Sequence, residues 1–219
     1  MPERPVYLTS PLPREGTRPL PMIDFRLVAD RIDYQGCDTL MFTSKQAVES
    51  AEAIDPAWKE LPAIAIGGAT AAKIEALGGK VLYHPKHFYG KELAADILEH
   101  FRTRRVLYLR PRTVSFDSRA FLARAGYELK EQILYETFCR THPPEAKPEP
   151  NAVIIFTSPS TIHCFLDRFG WEHSYTAVVI GTATLEHLPE GADHAVAERP
   201  LIDACVAKAQ AIARVPFRT

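Results

Sequence analysis

Four positions in this chain set a Ser or Thr where an apolar, β-branched run gives way to a segment of helical period: Ser44, Thr70, Ser158 and Thr184. The first turn of a helix leaves backbone N–H groups unpaired and carries a partial positive charge. Such a junction can hold a carboxylate or phosphate with few Lys or Arg. The same side chains also serve as ordinary N-caps, worth about 1 kcal/mol each. What favours a ligand over four unrelated caps is duplication. Leu40-Met41-Phe42-Thr43-Ser44 is echoed by Ile154-Ile155-Phe156-Thr157-Ser158, and Ala65-Ile66-Gly67-Gly68-Ala69-Thr70 by Val179-Ile180-Gly181-Thr182-Ala183-Thr184, at one constant offset. In an open parallel sheet, ligands bind at the carboxyl ends of strands, so the four junctions are expected to face one cleft.

Other candidates are single residues. Lys45 and Lys91 open helices, an unfavourable place for a cation relative to the dipole unless it meets an anion; Lys45 also sits inside a repeated junction. Arg110 and Arg112 follow a strand end and could pair with acidic groups in bidentate fashion, or simply be solvated. Tyr135 ends the strand Gln132-Ile133-Leu134-Tyr135; it either fills a domain junction or offers a hydroxyl that donates a proton or hydrogen bond, although a phenol near pKa 10 is a weak acid. Ile66-Gly67-Gly68-Ala69-Thr70 lacks the G-x-G-x-x-G fingerprint, and no P-loop occurs, which argues against a dinucleotide or ATP. No metal is expected: His84 and His87 flank Pro85, which prevents a regular helix, and no Cys or carboxylate completes a set.

These residues need elements to position them. Short β-branched runs ending in Gly, Ser or Thr alternate with alanine-rich helical segments, which predicts an α/β fold with parallel strands and crossover helices. Strands are expected at 5–9, 20–25, 38–43, 63–66, 80–83, 105–109, 128–135, 152–157, 176–180 and 192–196. In the segment 91–102, Leu93, Ile97, Leu98 and Phe101 share one face, and the last helix, 201–213, repeats this with Ile202, Cys205, Val206, Ala209 and Ile212, ahead of Pro216. The strand at Arg105-Val106-Leu107-Tyr108-Leu109 resembles Arg4-Pro5-Val6-Tyr7-Leu8, as though the second half took its missing strand from the N-terminus. Two similar domains follow, each a parallel sheet flanked by helices. One is discontinuous (1–19 and 141–219), one inserted (26–133), joined by a two-segment hinge at 20–25 and 134–140. Pro143, Pro144, Pro148 and Pro150 mark the second crossing as an extended loop.

Among the 219 residues 46% are hydrophobic and 24% charged, with a formal net charge of -1, as in an ordinary globular protein with no general pull toward nucleic acid or membrane. Met1 to Ser10 carries no basic and apolar leader pattern, and no apolar run approaches a membrane span, so a cytoplasmic location is expected. Cys37, Cys139, Cys164 and Cys205 are far apart with no C-x-x-C pair and are expected to be reduced core thiols.

Taken in order, Phe42-Thr43-Ser44, Gly67-Gly68-Ala69-Thr70, Leu134-Tyr135-Glu136-Thr137, Phe156-Thr157-Ser158-Pro159 and Gly181-Thr182-Ala183-Thr184 resemble the uroporphyrinogen-III synthase family over nearly the whole chain. The resemblance implies a cofactor-free reaction in haem biosynthesis, carried out by a monomer on a small molecule. Hydroxymethylbilane loses water from its terminal pyrrole, the azafulvene is attacked to give a spiro intermediate, and reclosure inverts ring D. It also implies Tyr135 as candidate proton donor, with Thr43, Ser44, Lys45, Gly68, Thr70, Arg110, Thr157, Ser158, Thr182 and Thr184 as substrate-binding residues. One departure stands out. The family has a helix and a further strand after the first strand, where Ser10 to Pro21 is a short Pro-rich loop. A sugar-phosphate isomerase-like enzyme is an alternative, lacking a Glu or His base at a repeated junction. A non-catalytic hinged binder of an anionic ligand is another, distinguished by the absence of turnover.

Overall fold

The computed structural model describes residues 3–86 and 89–215, so His87 and Pro216 lie outside the described residues. The chain divides into two compact units, a terminal one (Met1–Asp24 with Phe138–Thr219) and an inserted one (Phe25–Thr137). In chain order the strands are β1 (Val6–Leu8), β2 (Arg18–Pro19), β3 (Ile23–Leu27), β4 (Thr39–Phe42), β5 (Pro62–Ala65), β6 (Lys80–Tyr83), β7 (Val106–Pro111), β8 (Lys130–Cys139), β9 (Val153–Phe156), β10 (Thr176–Val179) and β11 (Asp193–Val196). The α-helices are α1 (Lys45–Ile54), α2 (Gly68–Ala76), α3 (Gly90–His100), α4 (Ser118–Arg124), α5 (Pro159–Phe169), α6 (Thr182–Leu185) and α7 (Ile202–Ala213). None of the described helices is long and apolar enough to cross a membrane.

The terminal sheet has the order β11-β10-β9-β1-β2 and the inserted sheet β3-β8-β7-β4-β5-β6. Beside β9, β1 takes the place that β7 takes beside β4. Every residue of β4 and of β9 is buried, because a central strand of a parallel sheet is covered on both faces and reads as an unbroken apolar run. Register gathers the strand ends. Phe42 pairs with Ala65 and with Leu109, so Thr43, Ile66 and Arg110 stand abreast at the carboxyl ends, with Arg110 still inside β7 and paired to Ile133. In the terminal sheet Phe156 pairs with Val179, and Val179 with Val196, which aligns Thr157, Ile180 and Ala197 in the same way.

Helices cover both faces of the inserted sheet. Phe42, Val48, Trp58, Ile74, Leu109 and Tyr135 pack on one side; Met41, Ile64, Leu93, Ile97, Tyr108 and Leu122 pack on the other. Each large side chain so buried contributes about 1.5–3 kcal/mol. The turn from α2 to β6 needs glycine for close approach, since a Cβ on Gly79 would lie 2.3 Å from the Trp58 ring. In the terminal unit α7 lays Cys205, Val206, Ala209 and Ala213 against β1, β9 and β10.

Three local expectations are revised. The segment after β1 is not only a loop: Arg18–Pro19 adds a short parallel strand, with Tyr7 opposite Arg18, while no helix forms between β1 and β2 among the described residues. The turn there uses Gly16 at φ +72, packed against Gln210 of α7, and Arg14 pairs with Asp203 at 2.7 Å. Next, β8 runs past Tyr135 to Cys139, because Thr137 and Phe138 continue its β-forming pattern. That extension overturns the reading of four reduced cysteines. Cys139 reaches Cys164 in α5, Cα to Cα 5.2 Å, and the two form a disulfide, leaving Cys37 and Cys205 free. Distance along the chain and the lack of a C-x-x-C pair say nothing about residues that strand length brings together.

Closing that loop of 25-residue separation restricts the unfolded chain by about 3 kcal/mol on the loop-entropy account. Reductant is therefore expected to lower the melting temperature of the terminal unit by about 15 °C. Thermal scans with and without dithiothreitol check this, and a Cys139→Ser variant should show no response.

Candidate active site

The carboxyl end of β4 places two consecutive hydroxyls on opposite faces of the inserted sheet, and each meets a tyrosine. Ser44 Oγ lies 3.0 Å from the Tyr135 hydroxyl, and Thr43 Oγ1 lies 2.7 Å from the Tyr108 hydroxyl. Strand alternation produces this arrangement, since successive side chains of a strand point to opposite faces. Tyr135 and Tyr108 belong correspondingly to the two different cores. Ser44 also caps α1, accepting the Ala47 N–H at 3.0 Å, so it retains one lone pair and one proton for Tyr135. When Ser44 donates to the phenol oxygen, the Tyr135 proton is free for another acceptor.

Tyr135 is 4% exposed, with its ring edge against Phe25 at 5.7 Å between centroids. Burial pushes its pKa up and the Ser44 hydrogen bond partly offsets this. The group is a neutral phenol at physiological pH, suited to donating a hydrogen bond or proton. Burial pushes Tyr108 to about 12. Sequence reasoning passed over Tyr108; the available signal was a hydroxyl-bearing aromatic inside an otherwise aliphatic strand, which requires a partner once buried.

The basic residues separate. Lys45, at the first position of α1 and adjacent to Ser44, is exposed. Arg110 is committed to the protein: it pairs with Glu131 at 3.3 Å and donates to the carbonyls of Pro111 and Arg112, both at 3.0 Å. Arg26 and, to a lesser degree, Arg112 bind Glu136 and hold its carboxyl below the usual carboxylate range.

The second junction in each unit opens on glycine with no side-chain cap, Gly67 before α2 and Gly181 before α6. Thr70 and Ala71 donate to the Gly67 carbonyl, and Thr184 and Leu185 to that of Gly181. The N–H groups of Gly68, Ala69, Thr182 and Ala183 are left at the first turns as anion donors. Open space surrounds Gly68 and Gly181, where an added Cβ would meet nothing within 4 Å. Thr70 and Thr184, by contrast, are buried, 5% and 4% exposed. Their backbones belong to the junctions while their side chains point inward. Thr70→Ala is therefore expected to cost about 1 kcal/mol of stability and to change turnover only a few-fold, as thermal melts and initial rates would show. In the terminal unit Ser158 caps α5 by accepting the Thr161 N–H at 3.4 Å, with Pro159 at the first helical position and half-buried Thr157 before it.

A cavity of about 600 Å³ lies at the other end of the inserted sheet, lined by Arg102, Arg104, Arg105, Arg119 and Lys130. Asp38 pairs with Arg105 at 3.1 Å and Asp33 with Lys130 at 2.9 Å, so much of its charge is compensated. It borders the amino ends of β7 and β8, away from the helix starts, and takes no part in the site.

A family model for uroporphyrinogen-III synthase HemD matches residues 17–207. The solved uroporphyrinogen-III synthetase of Helicobacter pylori 26695 is 25% identical, with a TM-score of 0.81 over 95% of this chain and 99% of that one. A mutant uroporphyrinogen III synthase from the extremely thermophilic bacterium Thermus thermophilus is 14% identical, with a TM-score of 0.54 over 96% and 98%, a likeness of fold. No curated protein sequence matches. Neither the isomerase nor the non-catalytic binder is favoured by these findings. With parallel sheets flanked by helices and a family match over most of its length, the chain belongs to the uroporphyrinogen-III synthase family, cyclising lyases of haem biosynthesis that act on a tetrapyrrole substrate.

Proposed function

We propose that this chain converts hydroxymethylbilane to uroporphyrinogen III with Tyr135 beside the departing hydroxyl and the helix starts of each unit holding substrate carboxylates. Departure of the terminal hydroxyl, which takes up a proton and leaves as water, generates an azafulvene. Attack on that carbon through the substituted end of ring D gives the spiro intermediate. Fragmentation and reclosure then restore the macrocycle with ring D inverted. The substrate ionises readily, so the protein's main contribution is to hold a flexible, carboxylate-rich chain in one reactive geometry. Gly68 and Ala69 in one unit and Thr182 and Ala183 in the other offer backbone donors, and Lys45 adds a charge. Arg110, already engaged with Glu131, orders the β7 end instead of binding substrate.

The observation that carries this reading is the Ser44–Tyr135 contact in a chain of this family. The test is to supply freshly generated hydroxymethylbilane, oxidise the products and separate the isomers. Isomer III in excess of the spontaneous isomer I supports the reading; isomer I alone refutes it. We also propose a cytoplasmic monomer that uses no nucleic acid partner, in keeping with a net charge near zero. In a reducing cytoplasm Cys139 and Cys164 would be thiols.

A further inference from the structure

We propose that His163 and His187 form a two-imidazole site for a divalent transition metal, with copper(II) as the best-fitting ion. His163 lies in the second turn of α5 and His187 in the turn that follows α6, both within the terminal unit. His163 Nε2 faces His187 Nδ1 at 3.0 Å, with ring centroids 4.9 Å apart and planes at 75°. Two nitrogens bound side by side to one ion at about 2.0 Å stand roughly 2.8 Å apart at a right angle and roughly 3.3 Å apart at the tetrahedral angle. The observed 3.0 Å falls between these values, so one ion could reach both nitrogens, and imidazole pairs take copper(II) most tightly among the divalent first-row ions.

His163 and His187 are both exposed. His163 sits within a helix, and the His187 N–H donates to the Thr184 carbonyl at 3.2 Å. Only the ring torsions must adjust for the two lone pairs to meet. Entry of the ion requires a lone pair on each facing atom, so the proton between them moves to the outer nitrogen of the same ring by exchange with water, and no net charge is lost from either imidazole. No third His, Cys, Asp or Glu completes the set among the described residues. The remaining coordination positions belong to water or to an incoming carboxylate. A bound ion would tie α5 to the end of α6, independently of any reading of the Ser44–Tyr135 site.

The test is calorimetric titration of the full chain with copper(II), with magnesium as the control, together with electron paramagnetic resonance of the bound ion. One ion per chain is expected, with hyperfine structure from two imidazole nitrogens. His163→Ala and His187→Ala should each weaken binding about tenfold or more and reduce the pattern to one nitrogen, whereas His173→Ala should change neither. Circular dichroism checks the fold, and Asn replacements serve if an Ala variant does not fold. Wild-type affinity in the double variant, loss in only one of the two single variants, or no saturable copper binding would each overturn the proposal.

Discussion

Tyr135→Phe is expected to lower the rate of isomer III formation about 10- to 100-fold, the largest effect of any single side chain in the site. The change removes only the hydroxyl. Tyr135 is 4% exposed and its ring packs edge-on against Phe25, so phenylalanine retains the packing. Ser44 keeps its N-cap bond to Ala47, and the lost hydrogen bond costs about 1 kcal/mol of stability. A melting temperature within a few degrees of wild type, alongside the rate loss, separates a chemical role from unfolding. Full rate in the variant would remove Tyr135 from the reaction. Because burial raises the phenol above its ordinary pKa near 10, ionisation of Tyr135 is not expected to shape the rate between pH 6 and 9. A fall in rate in that range would have to come from another group or from the substrate. Ser44→Ala should fall between Tyr135→Phe and wild type in rate, since the phenol stays while its partner goes.

Gly68→Asp and Thr182→Asp are each expected to raise KM about tenfold without loss of stability, a combination that a purely structural helix start does not produce. An aspartate in the first turn of a helix is favourable by about 0.3–1 kcal/mol, because it complements the partial positive charge and the unpaired N–H groups. At Gly68 the new side chain enters open space, and Thr182 is exposed. The same carboxylate occupies the donors proposed for a substrate carboxylate and repels it. Steady-state kinetics and thermal melts on the same preparations read both effects. Unchanged KM in both variants would remove the uncapped helix starts from substrate binding and leave Lys45 and the Tyr135 hydroxyl as the remaining contacts. Loss of turnover with KM unchanged would point to a distorted junction instead.

Much of the fold was legible from contiguous windows. The unbroken apolar runs at Leu40-Met41-Phe42 and Ile154-Ile155-Phe156 became central strands because a strand covered on both faces has no polar side to display. The stripes of α3 and α7 were readable for the same reason, as one face of each helix must be apolar to bury itself. The repeat identified the junctions, and the resemblance of the ordered motifs named the family. Some ends moved: β8 ran on to Cys139, since nothing in Tyr135-Glu136-Thr137-Phe138 forbids an extended backbone.

The pairs that matter most were settled elsewhere. Ser44 meets Tyr135 across 91 positions, and Thr43 meets Tyr108 across 65, because β4, β7 and β8 are neighbours in a fixed register. Whether Thr70 and Thr184 face a ligand or the interior depends on how their helices sit on the sheet, and both side chains turned inward. Arg110 was consumed by Glu131 on the adjacent strand, Cys139 by Cys164, and His163 was brought to His187. By itself, then, the sequence determined the class of fold, the repeated helix starts and the family, since periodicity and motif order are properties of neighbouring residues. Which side chains remain free to touch a substrate was decided only by the tertiary structure, because each candidate's partner lies on another element and proximity follows from register and packing.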